Sequence, residues 1–405
     1  MTLHIGKGGA AGCRLAATAI GLHAVGGLSA IGRPHLPVLT PSLSTATRAA
    51  ARDRLDLELR HRWIMPILTT HVGSLPRPPE LLPFIRGDAT PPPDFNKSMA
   101  DATRAVFLKQ LEAGLTHMND GEVGRRDYVT AARNRMSGFD AEKEAVGAGD
   151  LEEMTEFSDK FEGRKGLLSL TKKTEVKNPA CGGPISFTDE GRADLRAEIE
   201  RVVDAAKEKN IPLDRVFFSS PSPGTLATFF DDDFYHDHAK YVSALGAAMK
   251  TEYEMVAAAG LTLQVDCPDL AMGRHTRFKE LSLSDFQSAA RTNVEVMNAA
   301  LASIPAEQMR MHVCWGNYPG PHHHDVPLGE IIEIVLEAKP KYLSIEACNP
   351  GHGHEWEVFK DVKLPADKVL MPGVLDTTTY ALAARTNAHH FVSLPGLRSP
   401  ALRCL

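Results

Sequence analysis

The chain has 405 residues, of which 43% are hydrophobic and 24% are charged, and its formal net charge is −6. This composition is typical of a globular protein with a large core, and no basic stripe interleaved with aromatics points to a nucleic-acid partner. The six cysteines are widely scattered without a CxxC pair, which indicates a reducing compartment and thiol or metal chemistry rather than a disulfide framework. No stretch of about 18 apolar residues lacks charges, so we expect no membrane span.

Residues 1–64 differ in composition from the rest of the chain. They are rich in Ala, Gly, Ser, Thr and Arg, and the first acidic residue is Asp53. This composition is typical of an organellar transit peptide, which would make the protein mitochondrial. It fits an upstream extension of a cytoplasmic protein equally well, because Met65 directly precedes the first convincing element. In both cases we exclude the segment from the predicted fold.

From Met65 onward, short β-rich segments alternate with amphipathic helical segments. Strands are predicted at residues 66–72, 116–119, 215–219, 261–265, 309–313, 342–345 and 369–374. Helices are predicted at residues 101–113, 194–209, 238–259, 285–303 and 328–339. This α/β alternation predicts a parallel sheet, and at this length a TIM-type (β/α)8 barrel is the economical fold. Residues 141–188 are less regular and predict an insertion that carries an extra hairpin.

The strongest chemical signal lies where the strand at 309–313 ends. His312 and Cys314 are two residues apart, so their side chains point to the same side of a strand, and imidazole with thiolate suits Zn²⁺. The next predicted strand is followed by Glu346, whose carboxylate would complete three ligands with an open fourth position, as in catalytic zinc sites. Each residue also has a purely structural interpretation, as a buried thiol, a hydrogen-bonded histidine or a salt-bridged carboxylate.

Further polar groups follow other predicted strands. Glycine and hydroxyl groups that suit a substrate carboxylate close the first strand, at Thr70, His71, Gly73 and Ser74. Glu122 and Asp266 follow two other strands, where they suit a substrate ammonium group or, alternatively, cap the next helix. The run of histidines at 322–324 looks like a metal cluster, but adjacent histidines cannot all face one ion without a strained loop. We expect His352 and His354 to line the pocket instead.

Together these residues resemble the C-terminal catalytic barrel of cobalamin-independent methionine synthase. They resemble more closely its short single-domain relatives, which include the epoxyalkane–coenzyme M transferases. The resemblance covers residues 65–379, and it implies zinc ligands at His312, Cys314 and Glu346. It further implies that Glu122 and Asp266 bind the amino group of a homocysteine-like thiol, while residues 70–74 bind its carboxylate.

The chemistry that the resemblance implies is zinc-dependent methyl transfer from a folate-like donor to a thiolate, in methionine biosynthesis. Bound Zn²⁺ lowers the pKa of a substrate thiol, and the leaving amine of a folate needs a proton. In the synthases a histidine suited to that proton transfer follows the strand that ends here at Val374. This chain has Asp376 in that loop, which becomes our candidate catalytic residue. The difference keeps open an alternative, a zinc alkyltransferase that uses another thiol or donor.

The end of the chain departs further from the family. The second zinc cysteine of the family lies in a DCG-type motif that this sequence lacks, and Cys404 is the only cysteine downstream. Residues 380–405 have no acidic residue and no pattern of an amphipathic helix followed by a strand. We therefore expect a barrel at 65–379 without its final strand, followed by a divergent tail. A truncated, non-catalytic paralogue is the third possibility.

Overall fold

The computed structural model of the protein describes residues 68–144, 148–154, 156–157, 177–317 and 320–376. All of them belong to one compact unit, Pro66–Leu405. The predicted extension at 1–64 and the tail with Cys404 lie outside the described residues, and the boundaries proposed for them stay predictions. No helix within the described ranges is long and apolar enough to cross a membrane.

The described residues form short antiparallel ladders and one larger parallel sheet. The strands are β1 (Met136–Ser137), β2 (Ala141–Glu144), β3 (Lys177–Ala180), β4 (Ser186–Phe187), β5 (Phe217–Pro221), β6 (Thr262–Asp266), β7 (Met309–Val313), β8 (Tyr342–Glu346) and β9 (Val369–Gly373). The helices are α1 (Leu82–Arg86), α2 (Phe95–Glu112), α3 (Tyr128–Asn134), α4 (Gly149–Glu153), α5 (Asp189–Glu208), α6 (Pro223–Phe229), α7 (His238–Ala258), α8 (Leu283–Ala300) and α9 (Leu328–Leu336).

The five strands β5 to β9 pair in parallel and in chain order. Their residues are almost all buried, as expected for apolar parallel strands covered by helices on their crossovers. In register, Asp266 lies opposite His312 and Glu346 lies opposite Gly373. The carboxyl ends of β6 to β9 therefore meet at one edge of the sheet, where strand ends and the following loops carry polar side chains.

Two further segments continue the row beyond β5. Met118 forms a parallel bridge with Val216, and the N–H of Phe217 donates to the Met118 carbonyl at 2.9 Å. The N–H groups of Thr116 and His117 both donate to the carbonyl of Thr69, at 3.0 and 2.9 Å. The row thus runs from residue 69 to β9 in the order of a barrel, and the described residues do not close it.

Side chains define where most of the helices begin. Asp127, Thr188, Ser222, Asp237 and Ser282 each accept a hydrogen bond from the first turn of α3, α5, α6, α7 and α8, respectively. These oxygens satisfy backbone N–H groups that have no partner within the helix.

The sequence predicted the main elements closely. The five strands of the sheet lie within two residues of their expected positions, and each predicted helix begins at or before its expected start. In the insertion, strands β2 and β3 pair antiparallel, as expected for the predicted hairpin. The strand expected at 66–72 is wrong in its described part, because residues 68–72 form isolated contacts instead of a ladder.

Candidate active site

Three side chains converge at the carboxyl ends of β7 and β8. One ligand atom from each of His312, Cys314 and Glu346 lies within 4.8 Å of the other two. His312 is in β7 and Cys314 follows its last residue, so the two-residue spacing directs both to the same side. Glu346 is the last residue of β8, the next strand in the sheet.

The donor atoms of this group fit a metal ion. His312 is buried, and its Nδ1 has no hydrogen-bond partner within the described part of the chain. The Gly316 N–H donates to Cys314 Sγ at 3.2 Å, and Asn349 Nδ2 donates to Glu346 Oε2 at 2.5 Å, so neighbouring groups orient both donors. One nitrogen, one sulfur and one carboxylate oxygen form a ligand set that suits Zn²⁺.

Burial controls the protonation of the three groups. Burial, assisted by the charge of Arg310, lowers the pKa of His312 to about 4, so the imidazole is neutral at neutral pH and able to bind metal. Burial also raises the pKa of the Cys314 thiol well above its usual range, and the carboxylate of Glu346 raises it further. A protonated thiol beside a carboxylate becomes a thiolate only when a cation compensates the charge.

Two buried carboxylates lie close to this group. Ser219 Oγ donates to Glu122 Oε1 at 2.6 Å, and Gln264 Nε2 donates to Asp266 Oδ1 at 2.8 Å. Burial raises the pKa of both carboxyl groups, and the charge of Glu122 adds to the effect on Asp266. Two neighbouring buried acids with raised pKa values favour a cationic ligand, whose charge offsets the cost of ionising them.

The backbone at Glu122 is unusual for a residue with a side chain. Its φ is 54°, in the left-handed region, and it follows Gly121 at 67°. The Glu122 N–H donates to Asp120 Oδ1 at 3.0 Å, which holds the turn. The N-cap residues of the helices after Glu122 and Asp266 are Asp127 and Cys267, so the alternative interpretation of these two carboxylates as helix caps is wrong.

The segment at 70–74 divides into two parts. Thr70 Oγ1 accepts from Arg310 Nη1 at 3.0 Å, and His71 Nε2 is hydrogen-bonded to Gln110 Oε1 at 2.7 Å. These two side chains are therefore occupied within the protein. Gly73 lies against the carboxylate pair, since a Cβ on it would be 2.9 Å from Glu122 Oε1.

Ser74, the last residue of that segment, is exposed, and its hydroxyl accepts from Arg77 Nη1 at 3.2 Å. Asp376 is half-buried beside Cys348, whose pKa is raised by burial and further by the Asp376 charge. The roles expected for both residues stay predictions.

The histidines of the loops differ in position. His352 is buried and stacks on Trp315 with ring centroids 4.1 Å apart, whereas His354 is exposed. Burial raises the pKa of Glu346, and the charge of His352 opposes this rise. Burial opposes protonation of His352, but hydrogen bonds to Asp325 and Glu355 raise its pKa to about 9. His352 therefore lies near Glu346 with both ring nitrogens paired within the protein, and the expectation that it lines the pocket stays a prediction.

The run at 322–324 splits. His322 pairs with Asp325 Oδ2 at 3.0 Å, while His323 and His324 both contact the carboxylate of Glu153 at 2.9 Å. As expected, the three histidines do not all share one ligand. His322 contacts Asp325, whereas His323 and His324 both contact Glu153.

One residue near the site was not expected from the sequence. Burial raises the pKa of the Tyr128 hydroxyl well above its usual range, and the charges of Asp266, Cys314 and Glu122 act on it in the same direction. Tyr128 is the first residue of α3, directly after its capping Asp127. An N-cap aspartate a few residues beyond a strand end is the signal that would have placed this tyrosine at the same edge.

A cavity of about 80 Å³ opens at the amino ends of the strands. Its lining includes Thr70 and the first residues of β5, β6 and β8, but none of the three candidate metal ligands. In a parallel sheet of this kind, ligands bind at the carboxyl ends of the strands. The chemistry of the side chains therefore favours the opposite edge as the active site.

Comparison with known proteins finds distant relatives of this chain. No protein-family model matches the chain. Methionine synthases from strains of Saccharolobus islandicus are 26% identical over 259 residues, which cover 63% of this chain and 64% of theirs. The chain thus matches somewhat less than two thirds of the length of these relatives.

Two solved structures share the fold. A B12-independent methionine synthase from Shewanella sp. W3-18-1, in complex with selenomethionine, superposes with a TM-score of 0.57 at 18% identity, covering 84% of this chain and 89% of that one. A putative vitamin-B12 independent methionine synthase from Listeria monocytogenes gives a TM-score of 0.52 at 16% identity, covering 84% and 91%.

Proposed function

We propose that this chain, a distant homologue of the cobalamin-independent methionine synthases, is a zinc-dependent S-methyltransferase. Its substrates would be a homocysteine-like thiol and a folate-like methyl donor. The observation that carries the proposal is the convergence of His312, Cys314 and Glu346 within 4.8 Å at the carboxyl edge of a parallel sheet.

These three residues would hold the ion and leave a fourth position for the sulfur of the substrate. Bound there, Zn²⁺ would supply the positive charge that keeps the substrate thiol ionised at neutral pH. The neutral imidazole of His312 is ready to bind without first losing a proton. We assign no role in metal binding to Cys348, which lies beside Asp376.

Glu122 and Asp266 would bind the ammonium group of an amino-acid thiol. Both carboxyl groups are buried, with raised pKa values, so an adjacent ammonium group would supply the charge that they lack. Ser219 and Gln264 already hold one oxygen of each carboxylate, which fixes their orientation. The close approach of Gly73 brings backbone next to this pair, where the N–H groups of residues 73–74 suit the substrate carboxylate.

Proton delivery to the leaving amine would fall to Asp376, in the loop after β9. Asp376 is a weaker match for this task than the histidine of the synthases, because histidine is the side chain whose unperturbed pKa lies near neutral pH. The proposal therefore predicts slow transfer from a folate donor.

The test is formation of methionine from homocysteine and methyl-tetrahydrofolate by the full-length, zinc-replete chain. We expect activity that disappears in His312→Ala and Cys314→Ser. The matched control is Cys348→Ser, which replaces a neighbouring cysteine and should retain activity. A zinc-loaded chain without any turnover of homocysteine would contradict the proposal.

A second candidate function follows from Asp376. The histidine would not be needed for a zinc-dependent alkyl transfer to a different thiol, or from a donor that needs no proton on its leaving group. A panel of thiols with alkyl donors, assayed with the same variants, separates the candidates. Activity confined to homocysteine and a methyl-folate would eliminate this second candidate. Tight zinc binding with no activity in either assay would identify a non-catalytic paralogue.

A further inference from the structure

A second group of polar side chains meets among the loops beyond the carboxyl edge of the sheet. Asp150 lies in α4 of the insertion, His275 lies after β6, and Asp325 lies in the loop after β7. One ligand atom from each lies within 4.8 Å of the others. Asp150 and His275 are 0% and 1% exposed, so water does not solvate them freely.

Four polar atoms of this group are buried without a hydrogen-bond partner among the described residues. They are Asp150 Oδ2, Asp325 Oδ1, and both ring nitrogens, Nδ1 and Nε2, of His275. His275 Nδ1 is 2.8 Å from Asp325 Oδ1, but it is not aligned as a donor, and it is 3.8 Å from Asp150 Oδ2. Buried polar atoms without partners are costly and rare in folded proteins.

The remaining oxygens of the two carboxylates are firmly held. Asp150 Oδ1 accepts from the His324 N–H at 2.7 Å. Asp325 Oδ2 contacts His322 Nδ1 and His352 Nε2, each at 3.0 Å. In each carboxylate, one oxygen therefore contacts neighbouring residues and the other lies toward His275. Outer hydrogen bonds of this kind orient the ligands of a metal ion.

The spacing of the inward atoms is compatible with a shared ion. Nitrogen and oxygen ligands lie about 2.1 Å from a zinc ion, so two neighbouring ligands are about 3 to 3.5 Å from each other. The separations of 2.8 and 3.8 Å from His275 Nδ1 bracket that range.

We propose that Asp150, His275 and Asp325 bind a second divalent transition-metal ion, such as Zn²⁺ or Mn²⁺, separate from the site at Cys314. One imidazole and two carboxylate oxygens favour such an ion over the thiolate-preferring metals, and water would complete the coordination. The ion would join α4 of the insertion to the loops after β6 and β7. Its role is structural, because it fixes the loops that surround the first site.

A neighbouring arrangement of Asp150, His323 and His324 also brings ligand atoms together. Both histidines are exposed, and the carboxylate of Glu153 already pairs with each of them at 2.9 Å. Their partners are present within the protein, whereas the four buried atoms of the group around His275 have none among the described residues.

The test uses the full-length chain with the first site removed by His312→Ala and Cys314→Ser. The protein is stripped with a chelator and titrated with Co²⁺, Zn²⁺ and Mn²⁺ by calorimetry, and the bound metal is counted by mass spectrometry. We expect one ion per chain, and with Co²⁺ no thiolate-to-metal charge-transfer absorption, because sulfur is not among the ligands. Adding His275→Ala or the nearly isosteric Asp150→Asn should weaken binding at least about 100-fold.

The matched control is His354→Ala, which removes an exposed histidine outside the group and should leave the ion in place. The proposal is overturned if the background protein binds no ion, or if the ion persists in both His275→Ala and Asp150→Asn. Circular dichroism establishes that each variant is folded. Because the background lacks the first site, the outcome is independent of any methyltransferase activity.

Discussion

Two layers of polar side chains lie along the same parallel sheet, and they differ in the partners of the side chains proposed to bind ligands. The lower layer contains Thr70 and His71, and the edge layer contains the polar side chains at the carboxyl ends of the strands. In the lower layer, Thr70 is hydrogen-bonded to Arg310, and His71 is hydrogen-bonded to Gln110. At the carboxyl edge, His312 Nδ1 and Asp120 Oδ2 are buried without a partner within the described residues. The carboxyl groups of Glu122 and Asp266 at this edge have raised pKa values.

This difference indicates which side chains stabilise the fold and which are available to bind a ligand. A buried polar group with a complete set of partners contributes to the fold, whereas a buried group without one costs free energy until a ligand arrives. Side chains of the edge should therefore govern metal and substrate affinity with little effect on unfolding. Side chains of the lower layer should instead affect unfolding, with little effect on metal and substrate affinity. Variants in the two layers test this division.

The largest expected effect is on zinc. Cys314→Ser should weaken Zn²⁺ binding about 1,000-fold, because roughly 10 to 16 kcal/mol of binding energy is shared among a few ligands. Competition titration with a chelating dye measures this loss, and the Co²⁺ charge-transfer band reports the sulfur site alone. Cys348→Ser is the control that should retain the band. Full affinity in Cys314→Ser would show that the ligands are misassigned.

The next largest effect concerns the substrate ammonium. Glu122→Gln and Asp266→Asn should each weaken homocysteine binding about 10- to 100-fold, since a hydrogen bond to a charged group contributes about 1.5 to 3 kcal/mol. Calorimetry on the zinc-loaded chain measures this without requiring turnover. Zinc affinity and the unfolding temperature should not fall. The exposed Glu357→Gln is the control, and unchanged binding in both edge variants would remove these carboxylates from the substrate site.

In the lower layer, the expected effect is on the pH dependence of unfolding. Burial lowers the pKa of His71 from 6.5 to about 4, so between these values the unfolded chain binds more protons than the folded one. This stability is present above pH 6.5 and is lost as the pH falls toward 4, with about 1.5 kcal/mol lost between pH 6.5 and about pH 5.

His71→Gln should remove that component while leaving homocysteine binding unchanged. Urea unfolding at a series of pH values measures it, with the exposed His354→Gln as the control. A parallel decline in His71→Gln and the unaltered chain would show that His71 does not carry the effect. Weakened homocysteine binding would instead show that His71 belongs with the substrate-binding side chains of the edge layer.

The edge layer was largely predictable from the sequence, and the lower layer was not. His312 and Cys314 share a strand, so their common direction follows from a two-residue repeat that is local in the chain. Thr70 and His71 end a predicted strand in the same way, yet their partners lie far along the chain, at Arg310 and Gln110. No local pattern indicates such contacts, and the substrate-binding role expected for both residues stays a prediction.

Loop residues were the hardest to predict for a related reason. Asp150, His275 and Asp325 come from three separate loops or short elements without a shared periodicity. Tyr128 comes from the first turn of a helix that was not predicted. Bringing such residues together depends on how each loop closes over the sheet, which composition and spacing do not encode.

The smallest effect tests the contact between the segment at 70–74 and the carboxylate pair. In Gly73→Ala, the added Cβ would lie 2.9 Å from Glu122 Oε1, which Ser219 holds in place at 2.6 Å. The carboxylate must move, so homocysteine binding should weaken severalfold, with about 1 kcal/mol lost in stability. Gly329→Ala, within helix α9, is the matched control, since its added Cβ would meet only a methyl group of Val358, at 3.8 Å. Equal homocysteine affinities in the two variants would show that Gly73 does not adjoin the bound substrate, and would confine the edge layer to the strand ends.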